Sequence, residues 1–434
     1  MQTTAITTVR PGLSQTRGFL TPVLFIALAS LAPAAITVPG ADGSDGTLNI
    51  TANTEIDLSQ AVTGTWDQNN AANAGKGVYD PAKWAVVFKY SSVTVATGAT
   101  VTFKNHASRA PVVWLVNGNV TINGTVSLNG QGSVSAPALS EAGPGGFRGG
   151  TGNNVGLTIG SGFGLGGSGS SNRIVSPGGS YGSNGEVYSN GEVLGVTYGN
   201  ASNIPLIGGS GAGGTANSAP WSGGAGGGAI LIASSASVSI DGYLRANGGT
   251  GGLDAAGGSG GAIRIVAETL SGNGNLAALG GGSHVGIRDG GVGRIRLERT
   301  ANLNSISVMP APSTVDLAAG ATALLWPPTG SPEVKVMSIG AVSAPADPRA
   351  AFGTYGPDVA LPLTSSTQVV VETVNVEQAS QVKVRITPRD SANFTVVDAV
   401  YSSTVSTEPL TIRWTATVPT NMGYSAVQAH VIRP

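Results

Sequence analysis

Charged side chains are scarce in this sequence, and one stretch gathers several of them. Asp254, Glu268, Asp289 and Glu298 lie close in sequence to Arg264, Arg288, Arg294 and Arg296. Glycoside hydrolysis needs two carboxylates a set distance apart. A polysaccharide lyase needs a general base beside a group that neutralises charge. The same residues, solvated and paired with one another, would be an ordinary surface. Between these readings lies a contact face for an anion or an acidic glycan. Arg264, Arg288, Arg294, Arg296 and Asp289 are the residues expected to form it. No residue is assigned a catalytic role.

Other patterns carry less chemistry. Residues 178–182 (GGSYG) and 257–261 (GGSGG) match the nucleophile-elbow pattern around Ser180 and Ser259. That motif needs a strand before it and a helix after it, and no helix is expected at either place. Residues 164–169 (GLGGSG) match a dinucleotide fingerprint without its strand–helix context. His106, His284 and His430 are far apart and form no metalloprotease pattern. Asp42, Asp45 and Asp254 lie in glycine-rich loops, but their spacing does not fit a calcium loop. No cofactor and no metal site is expected.

A scaffold must hold whatever site exists, and its signature is repetition. Residues 120–130 (VTINGTVSLNG) align without a gap on 238–248 (VSIDGYLRANG). Both alternate apolar and polar, turn at Asn-Gly or Asp-Gly, and alternate again. Such alternation gives strands with one buried face, and glycine supplies the positive φ of a tight turn. Downstream, 228–232 (GAILI), 261–265 (GAIRI) and 293–297 (GRIRL) recur at spacings of 33 and 32 residues. One repeat reads as strand, turn, strand, glycine-rich loop. A hairpin meander and a parallel stack of coils both fit the pattern. The near-constant period favours stacking, because coils need matching lengths. Ile230, Ile263 and Ile295 would then stack inward, with Leu231, Arg264 and Arg296 as an outward ladder.

The pattern lapses over an insertion of about 133–225, where glycine runs enclose short β-prone pieces. Leu157, Ile159, Ile174, Val193 and Ile207 in it need burial. Extended glycine segments packed against one another would supply it. The prolines and glycines of 326–332 read as a linker, and the β-prone runs of 333–434 as an immunoglobulin-like or fibronectin-III-like β-sandwich. At the other end, Arg10 and Arg17 precede the apolar run 19–35 and the small residues Ala32-Pro33-Ala34. Residues 1–34 are therefore expected to be a secretory signal peptide, with no membrane span after its removal. The expected fold is all-β: a glycine-rich right-handed parallel β-solenoid over 35–325, followed by the small β-sandwich.

Composition narrows the function. Of 434 residues, 10% are charged and the net charge is −1, so a phosphate backbone is not an expected partner. With no cysteine, stability rests on burial and backbone hydrogen bonds. The Asn-Gly-punctuated coils and the strand starts at 257–265 resemble secreted bacterial glycine-rich parallel β-helix surface proteins. The glycine tracts are similar to those of phage tip adhesins. The first resemblance implies an adhesin, a polysaccharide lyase or a glycoside hydrolase. The expectation is an exported, non-enzymatic scaffold or adhesin, secreted or at the cell surface. Its expected partners are a polysaccharide, a cell-surface component or another copy of itself. The alternative is a secreted lyase or hydrolase.

Overall fold

The computed structural model describes residues 35–68, 75–154, 159–170, 176–188, 192–216, 220–284, 286–349, 356–362, 364–390 and 393–434. The expected signal peptide, Leu157 and Ile174 lie outside these residues. Residues 34–434 form one compact unit. The protein is almost entirely β, and among the described residues the one helical element is the 3-10 turn Leu58–Gln60.

Three columns of strands recur along the repeats. The first holds Ala85–Tyr90, Val112–Val116, Ala229–Ser234 and the leading halves of Ala262–Gly272 and Arg294–Asn304. Val86, Val112, Ile230, Ile263 and Ile295 pair in parallel as one row, and Phe88, Trp114, Ile232, Ile265 and Leu297 as another. The second column carries the row Leu48, Val93, Val120, Val238 and Leu270. The third is built from Thr54–Asp57, Thr100–Lys104, Thr125–Ser127, Tyr243–Arg245, Asn275–Ala277 and Ser307–Met309. Its row is Val101, Val126, Leu244, Leu276 and Val308. These rows close on one apolar core, and each buried aliphatic side chain contributes roughly 1.5–3 kcal/mol. The inward stacking of Ile230, Ile263 and Ile295 is as the period requires. Strands of successive repeats pair with one another in parallel, so a hairpin meander does not form. The insertion leaves the register intact, since Val112 pairs with Ile230 across it.

The outward side of the first column is covered. Ile36, Val38, Ala323 and Leu325 pack over Val87, Val113, Leu231 and Val266 in a second core. Thr37 and Thr322 bridge in parallel to hold this cover together.

The glycine tracts form a third core with almost no side chains in it. Along 223–228 the amide donors point in three directions in turn. Gly223 and Gly226 bond Gly150 and Phe147; Gly224 and Gly227 bond Ala256 and Ser259; Ala225 and Gly228 bond Gln131 and Leu128. That is the period of a threefold extended helix, which has about three residues per turn and no internal hydrogen bonds. Each segment therefore bonds three neighbours instead of the two of a sheet. The approach is too close for side chains: a Cβ on Gly226 would lie 2.0 Å from the Gly209 carbonyl oxygen. Ile159 is fully buried here, whereas Val193 stays exposed at 37%.

Residues 333–432 form antiparallel sheets. Val342–Ser343, Glu333–Ile339, Ser366–Val374, Leu410–Pro419 and the later half of Thr395–Thr407 make one. The earlier half of Thr395–Thr407, Gln381–Pro388 and Ser425–Ile432 make the other. Val369, Val371, Val382, Val384, Ile412 and Trp414 fill the core between them. This part does not hang from a free linker. Trp326 meets Trp66 edge-on at 5.4 Å. The Arg385 guanidinium donates to the carbonyls of Gly162, Leu165 and Gly167 at 3.2, 3.0 and 2.8 Å.

Candidate binding face

The five residues expected to form an anion face do not share one. Arg264 is 1% exposed. Its Nε donates to Glu298 Oε1 at 2.9 Å, and its Nη2 donates to the Leu324 carbonyl at 2.6 Å. Arg296 Nε reaches the same carboxylate oxygen at 3.2 Å. Arg288, also buried, donates to Glu192 Oε1 at 3.2 Å and lies over the Tyr188 ring. Arg294 donates to the Tyr198 carbonyl at 3.0 Å and faces the Tyr181 ring. Asp289 accepts from the Ser283 amide at 2.6 Å. The expected face is thus corrected to a set of internal ties. For Arg264 the physical reason is the cover over the first column, because a charge that is enclosed must be paired; Arg288 and Arg294 are instead drawn to Glu192 and Tyr198 of the insertion. Arg264 and Arg296 converge on a single carboxylate oxygen of Glu298, and the Leu324 carbonyl closes over Arg264.

The remaining motif residues are also structural in their contacts. Ser180 Oγ accepts from the Gly185 amide, and Ser259 Oγ from the Ser210 amide, both fully buried in the glycine core. Asp45 accepts from the amides of Lys89 and Gly75, and burial raises its carboxyl pKa. Asp42 pairs with the buried Lys89 ammonium at 3.4 Å. His106 accepts from the Ser108 amide and lies against the Tyr79 ring at 4.2 Å; burial lowers its pKa. His284 is exposed.

The outward face of the third column is different. Leu244 and Ala246 point into the core, so Tyr243, Arg245 and Asn247 point out along one line. Tyr243 is 46% exposed, and the Arg245 guanidinium lies 4.1 Å from its ring centroid. Among the described residues no carboxylate pairs with Arg245. Beside this line, the turns after successive strands form an asparagine ladder. Asn129 Oδ1 accepts from the Asn247 amide at 2.9 Å, and Asn247 Oδ1 accepts from the Leu279 amide at 2.9 Å. Fixing each carboxamide oxygen orients its NH2 group as a set donor. The ladder lines a shallow groove of about 320 Å³ with Thr250 and the backbone of 280–282. The line thus sets an apolar ring, a guanidinium and oriented amide donors beside one groove, a mix of apolar surface and directional polar groups suited to holding a ligand.

Sequence reasoning missed this site. The signal is the alternation Tyr-x-Arg-x-Asn at 243–247, opposite the buried Leu244 and Ala246. Compared with protein families, curated proteins and solved structures, the chain matches none.

Proposed function

We propose that this chain is an exported, non-enzymatic scaffold or adhesin, secreted or held at the cell surface, that binds polysaccharide along the third strand column. On this reading the repeats are a right-handed parallel β-solenoid and residues 333–434 an immunoglobulin-like β-sandwich. The observation that carries it is the line Tyr243, Arg245 and Asn247 beside the asparagine ladder. Export is supported by the basic, apolar and small-residue order of residues 10–35.

The test is incubation of the purified chain with neutral and acidic polysaccharides, reading retention on the polymer and new chain ends in the same tubes. Retention without new ends is expected. New chain ends would overturn the non-enzymatic reading in favour of a lyase or hydrolase. Absence of both signals would overturn the glycan reading.

A further inference from the structure

A second concave site lies where the C-terminal sheets meet the glycine core. The outward face of Gln381–Pro388 and Ser425–Ile432 docks there through Arg385, leaving a cleft of about 270 Å³. Leu165, Leu194 and Val196 of the insertion form one wall, and Val396 and Ile432 of the sheet form the other. Three cationic or protonatable groups share the space. Lys383 and His430 are direct cross-strand partners, and Arg385 follows two residues along on the same face. The Arg385 guanidinium is already fixed by three carbonyls and stacked 3.6 Å from the Phe394 ring centroid. Lys383 holds Asp398 on the neighbouring strand. His430 is not served: among the described residues neither ring nitrogen has a hydrogen-bond partner. Gln428 Oε1, on the same face, is also buried without one. Buried polar atoms in native proteins are almost always satisfied, so such a group asks for an explanation.

We propose that this cleft binds a small organic carboxylate with an apolar body. The carboxylate would accept from the imidazolium of His430 and sit in the positive field of Lys383 and Arg385. The aliphatic walls would take the remainder of the ligand. A volume near the lower end of ligand pockets, which run from about 300 Å³ upward, limits the ligand to the size of one ring. The ligand would touch the insertion and the C-terminal sheet at once, tying the two together.

The groups facing His430 fix the pH dependence. Burial, then Lys383 and Arg385, lower its pKa, while Asp398 is engaged by Lys383. The insertion wall offers Leu194, Gly195 and Val196, none of which titrates. A bound carboxylate reverses this balance, so binding takes up a proton and tightens as pH falls.

The test uses the full chain and thermal unfolding with acetate, benzoate and glucuronate, each against its uncharged counterpart acetamide, benzyl alcohol or glucose. A saturable rise in Tm is expected with benzoate, larger at pH 6 than at pH 8, weaker with acetate and glucuronate, which lack the apolar body, and absent with the uncharged probes. His430→Gln and Lys383→Met should each weaken binding at least tenfold, and the two variants guard against one misfolding. No saturable rise with any carboxylate overturns the proposal. Equal rises with the uncharged probes, or unchanged binding in both variants, would also overturn it. The polysaccharide assay on Arg245 variants reads the other site, so each reading fails separately.

Discussion

Arg264 and Ile263 are neighbours with opposite directions, and both are enclosed. Ile263→Asp places an unpaired charge in the main core, and the expected result is loss of the folded state by circular dichroism. The sequence pattern alone predicts that Arg264→Ala is harmless. The structure reverses that expectation, because removing Arg264 leaves the 7%-exposed Glu298 with Arg296 as its remaining cation. Losing a hydrogen bond between charged groups costs about 1.5–3 kcal/mol, measurable as a lower denaturation midpoint. Alternation told inward from outward correctly, but it cannot tell an outward face in water from one beneath a second layer. That layer comes from residues 36–38 and 321–326, far from the strand in sequence. Arg245→Ala and Tyr243→Ala, on the open face, should change stability by less than about 0.5 kcal/mol and abolish retention on polysaccharide. His430 supplies a pH signature. Its folded pKa lies below the ordinary 6.5, so the unfolded chain takes up the proton first. Its contribution is therefore present above about pH 6.5 and lost as pH falls below it. His106 has the same sign. The fall in Tm between pH 7 and 5 should be smaller in His430→Gln than in the unaltered chain.

At the scale of elements, the ladders were legible and the glycine core only partly so. Period, turn residues and apolar alternation specify which strands pair and in what register. The gapless match of 120–130 to 238–248 is the observed pairing of Val120 with Val238 and Val126 with Leu244. Glycine tracts have no such alternation, so burial of their occasional large residues suggested packing without saying which segment meets which. Their order is in backbone hydrogen bonds that repeat every third residue, and glycine is required where, as at Gly226, the space beyond Cα is already filled by another chain segment. Gly226→Ala should destabilise by about 3 kcal/mol or more, since the obstruction is backbone that cannot turn aside. Gly282→Ala is the control. The nearest atom to its Cβ would be 4.0 Å away, and its denaturation midpoint should not fall.

At the scale of the molecule, composition marked a boundary near 326 that the fold bridges. The C-terminal sheets have their own core, yet Arg385, Thr151 and Ser161 tie them to the insertion by hydrogen bonds. No local pattern in sequence reports such a contact, because its partners are 218 to 238 residues apart. Calorimetry of the intact chain should show one transition, and Arg385→Met should split it in two. The glycine core has one more consequence. A protease grips its substrate by lodging side chains in pockets and by pairing its own edge with free backbone amides. Residues 207–216 and 222–228 offer little of either: their amides are engaged in three directions, and most positions have nothing beyond Cα. Digestion with a broad-specificity protease should leave these segments whole after exposed loops elsewhere are cut, so the poorest part of the chain in side chains would be the most durable.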